Sequence, residues 1–280
     1  MVLRDLVTVN VRRMCFRVSL FLLLIGGLMP QFAAAQEEER DSYKLKAETF
    51  WFYSHPTGAV YGTNKNGSFD FQGDIGFNTY STFFGRFDWK FTHKNHLIFV
   101  VAPFDQTKTV ALQRTIVFQG QTFTAGLTAT GELKANTYAV GYQYDFIRRQ
   151  WGHIGLSGQI NFYDTAATVS ALAQTSGGVV HPAVRASGSL LAPIPVAGPD
   201  VRVYLLPRLF VTGNLQGMYL FGYGDYISAT GTVGVPILKN HISARAGYAL
   251  ASNLHVNTSS DRIGLTLTQK GALAGLEFSF

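Results

Sequence analysis

Residues 137–146 read Thr-Tyr-Ala-Val-Gly-Tyr-Gln-Tyr-Asp-Phe, and their order decides the fold. Tyr138, Val140, Tyr142, Tyr144 and Phe146 alternate with Thr137, Ala139, Gly141, Gln143 and Asp145. A period of two puts the bulky apolar side chains on one face of an extended strand and the small or polar ones on the other. The rhythm recurs on either side. Phe83, Gly85, Phe87, Trp89 and Phe91 interleave with Phe84, Arg86, Asp88, Lys90 and Thr92. Ile154, Leu156, Gly158, Ile160 and Phe162 interleave with Gly155, Ser157, Gln159, Asn161 and Tyr163, and Ile242 to Leu250 repeats the pattern around Ser243, Arg245, Gly247 and Ala249.

A soluble β-sandwich alternates too, so three further features decide between it and a membrane barrel. The runs extend over about 10–15 residues, against about 5–6 for soluble strands. Their polar face is rich in Gly, Ala, Ser and Thr with scattered charges, as suits an enclosed interior. Their apolar face carries aromatics toward the strand ends, as in the girdles of membrane barrels. A tilted transmembrane strand needs about 9–11 residues. The expectation is an all-β, antiparallel, up-and-down transmembrane barrel, closed because an open edge would leave backbone groups unpaired in hydrocarbon.

Composition agrees. The chain of 280 residues is 47% hydrophobic, 14% aromatic and only 14% charged, where a soluble domain carries roughly 25% charge. The aromatic content excludes disorder, and the single Cys excludes a disulfide scaffold. Val18 to Met29 is apolar but shorter than the roughly 20 residues of a spanning helix. Residues 1–35 have the form of a cleaved secretory signal: Arg4, Arg12, Arg13 and Arg17, then the apolar core, then Ala33-Ala34-Ala35. Met14 would give a more ordinary signal than Met1. Residues 36–280 are then the barrel. Removing the signal takes four basic residues and one acidic one, so the net charge falls from +6 to +3. A nucleic-acid partner loses its support with that change. Cys15 leaves with the signal.

Breaks in the alternation set the strand count. Short polar breaks at 93–95, 148–150, 197–200 and 239–240 alternate with longer ones near 55–77, 113–128, 171–178, 213–217 and 253–261. They predict ten strands, with eight and twelve as alternatives, and both termini on the periplasmic side. The predicted strands are 43–53, 79–92, 96–108, 132–147, 153–168, 179–193, 201–212, 218–237, 241–252 and 262–280. The stretches 68–77 and 113–124 read as strand extensions or an extra hairpin. The loop from Ser54 to Asn78 folds inward as a constriction or outward as a docking surface.

The last strand ends on alternating Ala272, Ala274, Leu276, Phe278 and Phe280. This end resembles the terminal strand of the small bacterial outer-membrane β-barrels, in which a C-terminal aromatic with alternating apolar residues is the assembly signal. The resemblance implies outer-membrane localisation, contact with outer-membrane lipid, and insertion by the barrel assembly machinery through Leu276, Phe278 and Phe280. Ile263, Leu265 and Leu267 have the opposite parity, which predicts a bulge near Lys270-Gly271.

Polar parity then names the lumen. Arg86, Asp88, Lys90, Asp145, Arg185, Arg202, Arg208, Arg245 and Glu277 are expected to line it, with Lys44, Lys46, Glu48 and Lys270. Nine basic against four acidic groups suggest either a plugging network or a narrow, anion-preferring path. The functional expectation is a non-catalytic barrel, structural or porin-like. The alternative is a lipid hydrolase, because Leu250-Ala251-Ser252-Asn253 is faintly similar to the His-x-Ser-Asn signature of outer-membrane lipid deacylases and phospholipases. Leu250 stands where that signature has its base, so Ser252 lacks a local proton acceptor; His255 lies on the wrong side. The seven histidines show no metal-ligand spacing, and no cofactor motif occurs. His93, His96, His153 and His241, beside short turns, are expected to mark the periplasmic interface.

Overall fold

A computed structural model describes residues 43–62, 67–176, 179–220, 224–238, 241–256 and 263–280. The predicted signal segment 1–35 lies outside the described residues, as do the side chains of His181, Ser252 and His255.

Ten antiparallel strands close into a barrel. They are β1 (Leu45–Tyr61), β2 (Tyr80–Lys90), β3 (Asn95–Ala102, continued by Asp105–Ala111), β4 (Thr128–Arg149) and β5 (Gly152–Ala171). β6 (Val184–Leu206), β7 (Leu209–Leu220), β8 (Gly224–Leu238), β9 (Ile242–Val256) and β10 (Gly264–Ser279) complete the ring. Each pairs with its neighbours in sequence, and β10 returns to β1 in unbroken register from Lys46↔Ser279 to Tyr61↔Gly264. The carbonyl of Phe280 accepts from Lys44 and Leu45 at 2.7 and 3.0 Å, so the last residue fastens the seam.

Strand length divides the barrel into two storeys. β4, β5 and β6 have 22, 20 and 23 residues, about twice what a bilayer crossing requires. The outward apolar rows occupy only the half nearer the termini, over 138–146 on β4 and 154–162 on β5, where Tyr138 pairs with Phe162. One step farther, the outward residues become Asn136, Lys134 and Glu132 on β4, Asp164 on β5, and Ser189 and Ser187 on β6. On the seam the change falls between the pairs Tyr53↔Ala272 and His55↔Lys270. The near storey therefore has an apolar exterior of membrane height, and the far storey has a wet one.

The interior reverses at the same level. Near the termini it holds Lys46, Glu48, Asp88, His96, Asp145, Arg202, Arg245 and Glu277, each under 9% exposed. Above them lies one apolar core built from the strands' inward rows, including Leu133, Val169, Leu190, Ile263 and Leu265, all at most 2% exposed. Two far-end connections fold into it. Gly67–Asp70 pairs with β1, then with Ile116–Phe118, which forms a hairpin with Gln121–Phe123. Gln119 and Gly120, at φ 51° and 74°, make the tight turn of that hairpin. Phe69, Phe71, Phe77, Phe118 and Phe123 are buried inside the barrel mouth. Asp74 ties the two segments by accepting from Arg114 Nε at 2.7 Å and Nη2 at 2.6 Å.

Four expectations need correction. No bulge occurs at Lys270-Gly271, since β10 pairs evenly with β1 there. Its odd residues face inward throughout; what switches is which side of the wall is apolar. The stretch 197–200 is not a turn but the middle of β6, and the turn is at Pro207-Arg208. Pro193, Pro195 and Pro199 all occupy odd positions, so their missing N–H groups lie along one edge of β6 and the other edge keeps its ladder. Likewise 213–217 lies within β7 and pairs with β8. The loop expected from Ser54 begins only after β1 ends at Tyr61, and it turns inward.

Candidate functional site

The interior of the near storey is the place where chemistry-bearing side chains converge. The curvature of a ten-stranded wall brings inward side chains of opposite strands within reach of one another. On one side, Glu277 of β10 accepts from Arg202 Nη2 of β6 at 2.5 Å, and Arg245 Nη1 of β9 at 2.9 Å. Arg245 also reaches Glu48 of β1 at 2.8 Å and donates to Thr212 and Thr232 at 2.5 and 2.7 Å. Its guanidinium thus joins five strands. The Arg202 guanidinium lies 3.9 Å from the Phe210 ring centre, and that ring rests on Gly234, where any Cβ would meet it at 2.1 Å.

On the other side, the His96 ring stands between two carboxylates, with Nδ1 2.8 Å from Asp88 and Nε2 3.0 Å from Asp145. Lys46 approaches Asp88 at 3.7 Å. Asp200 links the two sides: it is 3.2 Å from His153 Nε2, 3.0 Å from Asn214 Nδ2 and 3.7 Å from Arg86. These contacts cross the lumen rather than line an open bore.

Arg86, Asp88, Lys90, Asp145, Arg202, Arg245 and Glu277 lie in this interior, as do Lys46 and Glu48. Arg185 does not: it is exposed on the outside of β6 in the far storey. Arg208 is exposed in the β6–β7 turn, Lys44 is exposed just before β1, and Lys270 faces outward above the apolar belt. Those four positions are corrected for one reason. Each lies beyond the membrane-height slab, where the outside is water and a charge has no cause to turn inward. Asp200 joins the interior set, so five cations (Lys46, Arg86, Lys90, Arg202, Arg245) meet five carboxylates (Glu48, Asp88, Asp145, Asp200, Glu277) among the described residues. The expected excess of positive charge disappears.

His93 and His241 are exposed beside near-end turns, whereas His96 and His153 are buried in the network at 0% and 3% exposure. The alternation marked His96 as inward, since it leads the row His96, Ile98, Val100. Asp200 escaped notice because Gly198-Pro199 reads as a turn. Leu250 is half-buried on β9, and the backbone of Ser252 pairs with Ile227. Among the described residues no group of three His, Cys, Asp or Glu side chains is placed to hold a metal ion.

Between the charged network and the aromatic cap lies a cavity of about 240 Å³. Phe50, Phe52 and Phe84 wall it on the β1–β2 side; Asn161, Asn214, Gln216, Ser228 and Thr230 face it from β5, β7 and β8. Arg86 and Arg245 belong to its floor, and Tyr80 and Phe104 to its roof.

No family model matches this sequence, and no curated protein matches it. Solved structures do. The outer membrane protease OmpT from Escherichia coli aligns at a TM-score of 0.52 and 11% identity, over 89% of this chain and 100% of that one. The translocator domain of the autotransporter NalP from Neisseria meningitidis aligns at 0.44 and 10%, over 97% and 98%. Ail, the attachment invasion locus protein of Yersinia pestis, aligns at 0.35 and 8%, over 84% and 99%. Identities this low speak to architecture, and the alignment with the protease extends over that entire chain. A closed ring of antiparallel strands and an apolar belt of membrane height agree with it. The fold of this chain is that of the bacterial outer-membrane β-barrels.

Proposed function

We propose that this protein is a non-catalytic outer-membrane barrel, sealed rather than conducting, which carries a folded far storey on the cell surface. The observation that supports this reading is the cluster of Phe69, Phe71, Phe77, Phe118 and Phe123, at most 2% exposed, within the far mouth. Among the described residues five rings pack there with inward aliphatic residues, and an ion crossing such dry hydrocarbon would forfeit its hydration. The balanced charges below them do not favour an anion over a cation.

In this reading residues 1–35 direct export and are removed, the belt of Trp51, Phe87, Tyr142 and Phe162 meets outer-membrane lipid, and Leu276, Phe278 and Phe280 present the terminal strand to the assembly machinery. Planar-bilayer recording on protein that shifts on an unheated denaturing gel tests it. The expected result is no steady conductance; a stable conductance of either selectivity overturns it. Deacylation of lipid A by the purified protein, lost in Ser252→Ala, would instead establish a hydrolase.

A further inference from the structure

We infer that the cavity between the two storeys is a binding site for one uncharged, polyhydroxylated ring, a molecule of monosaccharide size. Its volume of about 240 Å³ is room for a small molecule rather than for a single water. The walls set the chemistry. Phe50 and Phe84 stack with ring centres 5.1 Å apart and 23° between planes, and Phe52 meets Phe84 edge-on at 6.4 Å. Together these rings form the apolar side of the cavity, a platform over which Arg245 also lies, 5.0 Å from the Phe50 ring centre. Half-way round the ring of strands, the registered pairs Asn214↔Thr230 and Gln216↔Ser228 present amides and hydroxyls, which donate and accept.

The inward hydroxyls of β8 are not equivalent. Thr232, the nearest to the floor, accepts from Arg245 at 2.7 and 3.1 Å. Thr230 and Ser228, the next two, line the cavity and make no side-chain hydrogen bond among the described residues. An ionised ligand fits poorly, because the charges of the floor already neutralise one another and an added charge would be buried uncompensated. A hydrocarbon would cover the platform but leave the amide and hydroxyl wall without partners. Water alone would satisfy that wall and wet the platform. A saccharide ring satisfies both: its C–H face lies on the phenylalanines and its hydroxyls meet Ser228, Thr230 and the amides.

The test is equilibrium dialysis of the detergent-folded, full-length mature protein with labelled D-glucose after long incubation, with the heat-shifted gel band reporting folding. Wild type should show saturable binding at a single site. Ser228→Ala and Thr230→Val should weaken it about tenfold each, the worth of one hydrogen bond, and Ser228→Phe should abolish it. Absence of saturable glucose binding in folded wild type overturns the proposal. So does binding that all three folded variants retain, or tighter occupancy of the same site by benzoate or toluene.

Discussion

The two storeys share ten strands and one register, yet they are held together in opposite ways. In the near storey the wall is greasy outside and the interior is knitted by directional contacts such as Arg245–Glu277 at 2.9 Å. In the far storey the outside is polar and the interior is packed apolar matter, with Phe69, Phe118 and Leu133 wholly buried. The solvent explains both. Against lipid, burying apolar surface inside gains nothing, and polar side chains that point inward must satisfy each other. Against water, apolar burial drives assembly at roughly 25 cal/mol per Å². A single strand such as β4 obeys both rules along its length without changing which residues face inward.

Four substitutions would break or sharpen that contrast. The largest effect is expected from Glu277→Ala, which strips the partner shared by Arg202 and Arg245. Leaving buried charge uncompensated costs about 3–5 kcal/mol, to be read as a lower urea midpoint for unfolding in lipid vesicles. Phe118→Ala should cost nearly as much, about 3–5 kcal/mol, but from the far storey. Hydrogen exchange should then quicken in Gly67–Asp70 and Ile116–Phe123 while the near storey stays protected. A uniform rise in exchange would mean that the storeys are not separable.

Tyr142→Arg places a charge on the outward face in mid-belt and should cost about 2–4 kcal/mol in the same unfolding assay. The smallest effect is expected four pairs of residues farther along the same strand. Lys134→Ala removes an exposed ion pair with Asp105 of 3.5 Å and should change stability by less than about 1 kcal/mol. Equal costs at 142 and 134 would erase the boundary drawn between Tyr138 and Asn136.

Much of this was readable from residue order, because a strand in either storey alternates. The ten strands, the inward positions of Arg86, Asp88, Asp145, Arg245 and Glu277, and the aromatic outer rows all follow from a period of two. What misled the reading was the assumption that polar means inward along the whole strand. Arg185 and Lys270 were placed inside on that ground, and the apolar trio Ile263, Leu265 and Leu267 was taken as proof of a bulge. All five obey the far storey's rule. The cavity's aromatic platform had a trace in sequence: Phe50-Trp51-Phe52-Tyr53 and Phe83-Phe84 put rings on both faces. Their meeting across β1 and β2 depends on register, which no single strand encodes. The inward cap was only one of two alternatives open to the loop from Ser54 to Asn78, because its phenylalanines lie in connections with no long alternation of their own.

The seam between β1 and β10 has a consequence for how the molecule comes into being. The first strand's partner on that side is the tenth, made after the other nine, and the two pair along nearly their full length. Contacts so distant along the chain make folding slow. No nascent chain that lacks β10 possesses the closing edge, so the first strand must wait with one side unpaired while the other nine are made. The wall becomes a ring only when the tenth strand arrives.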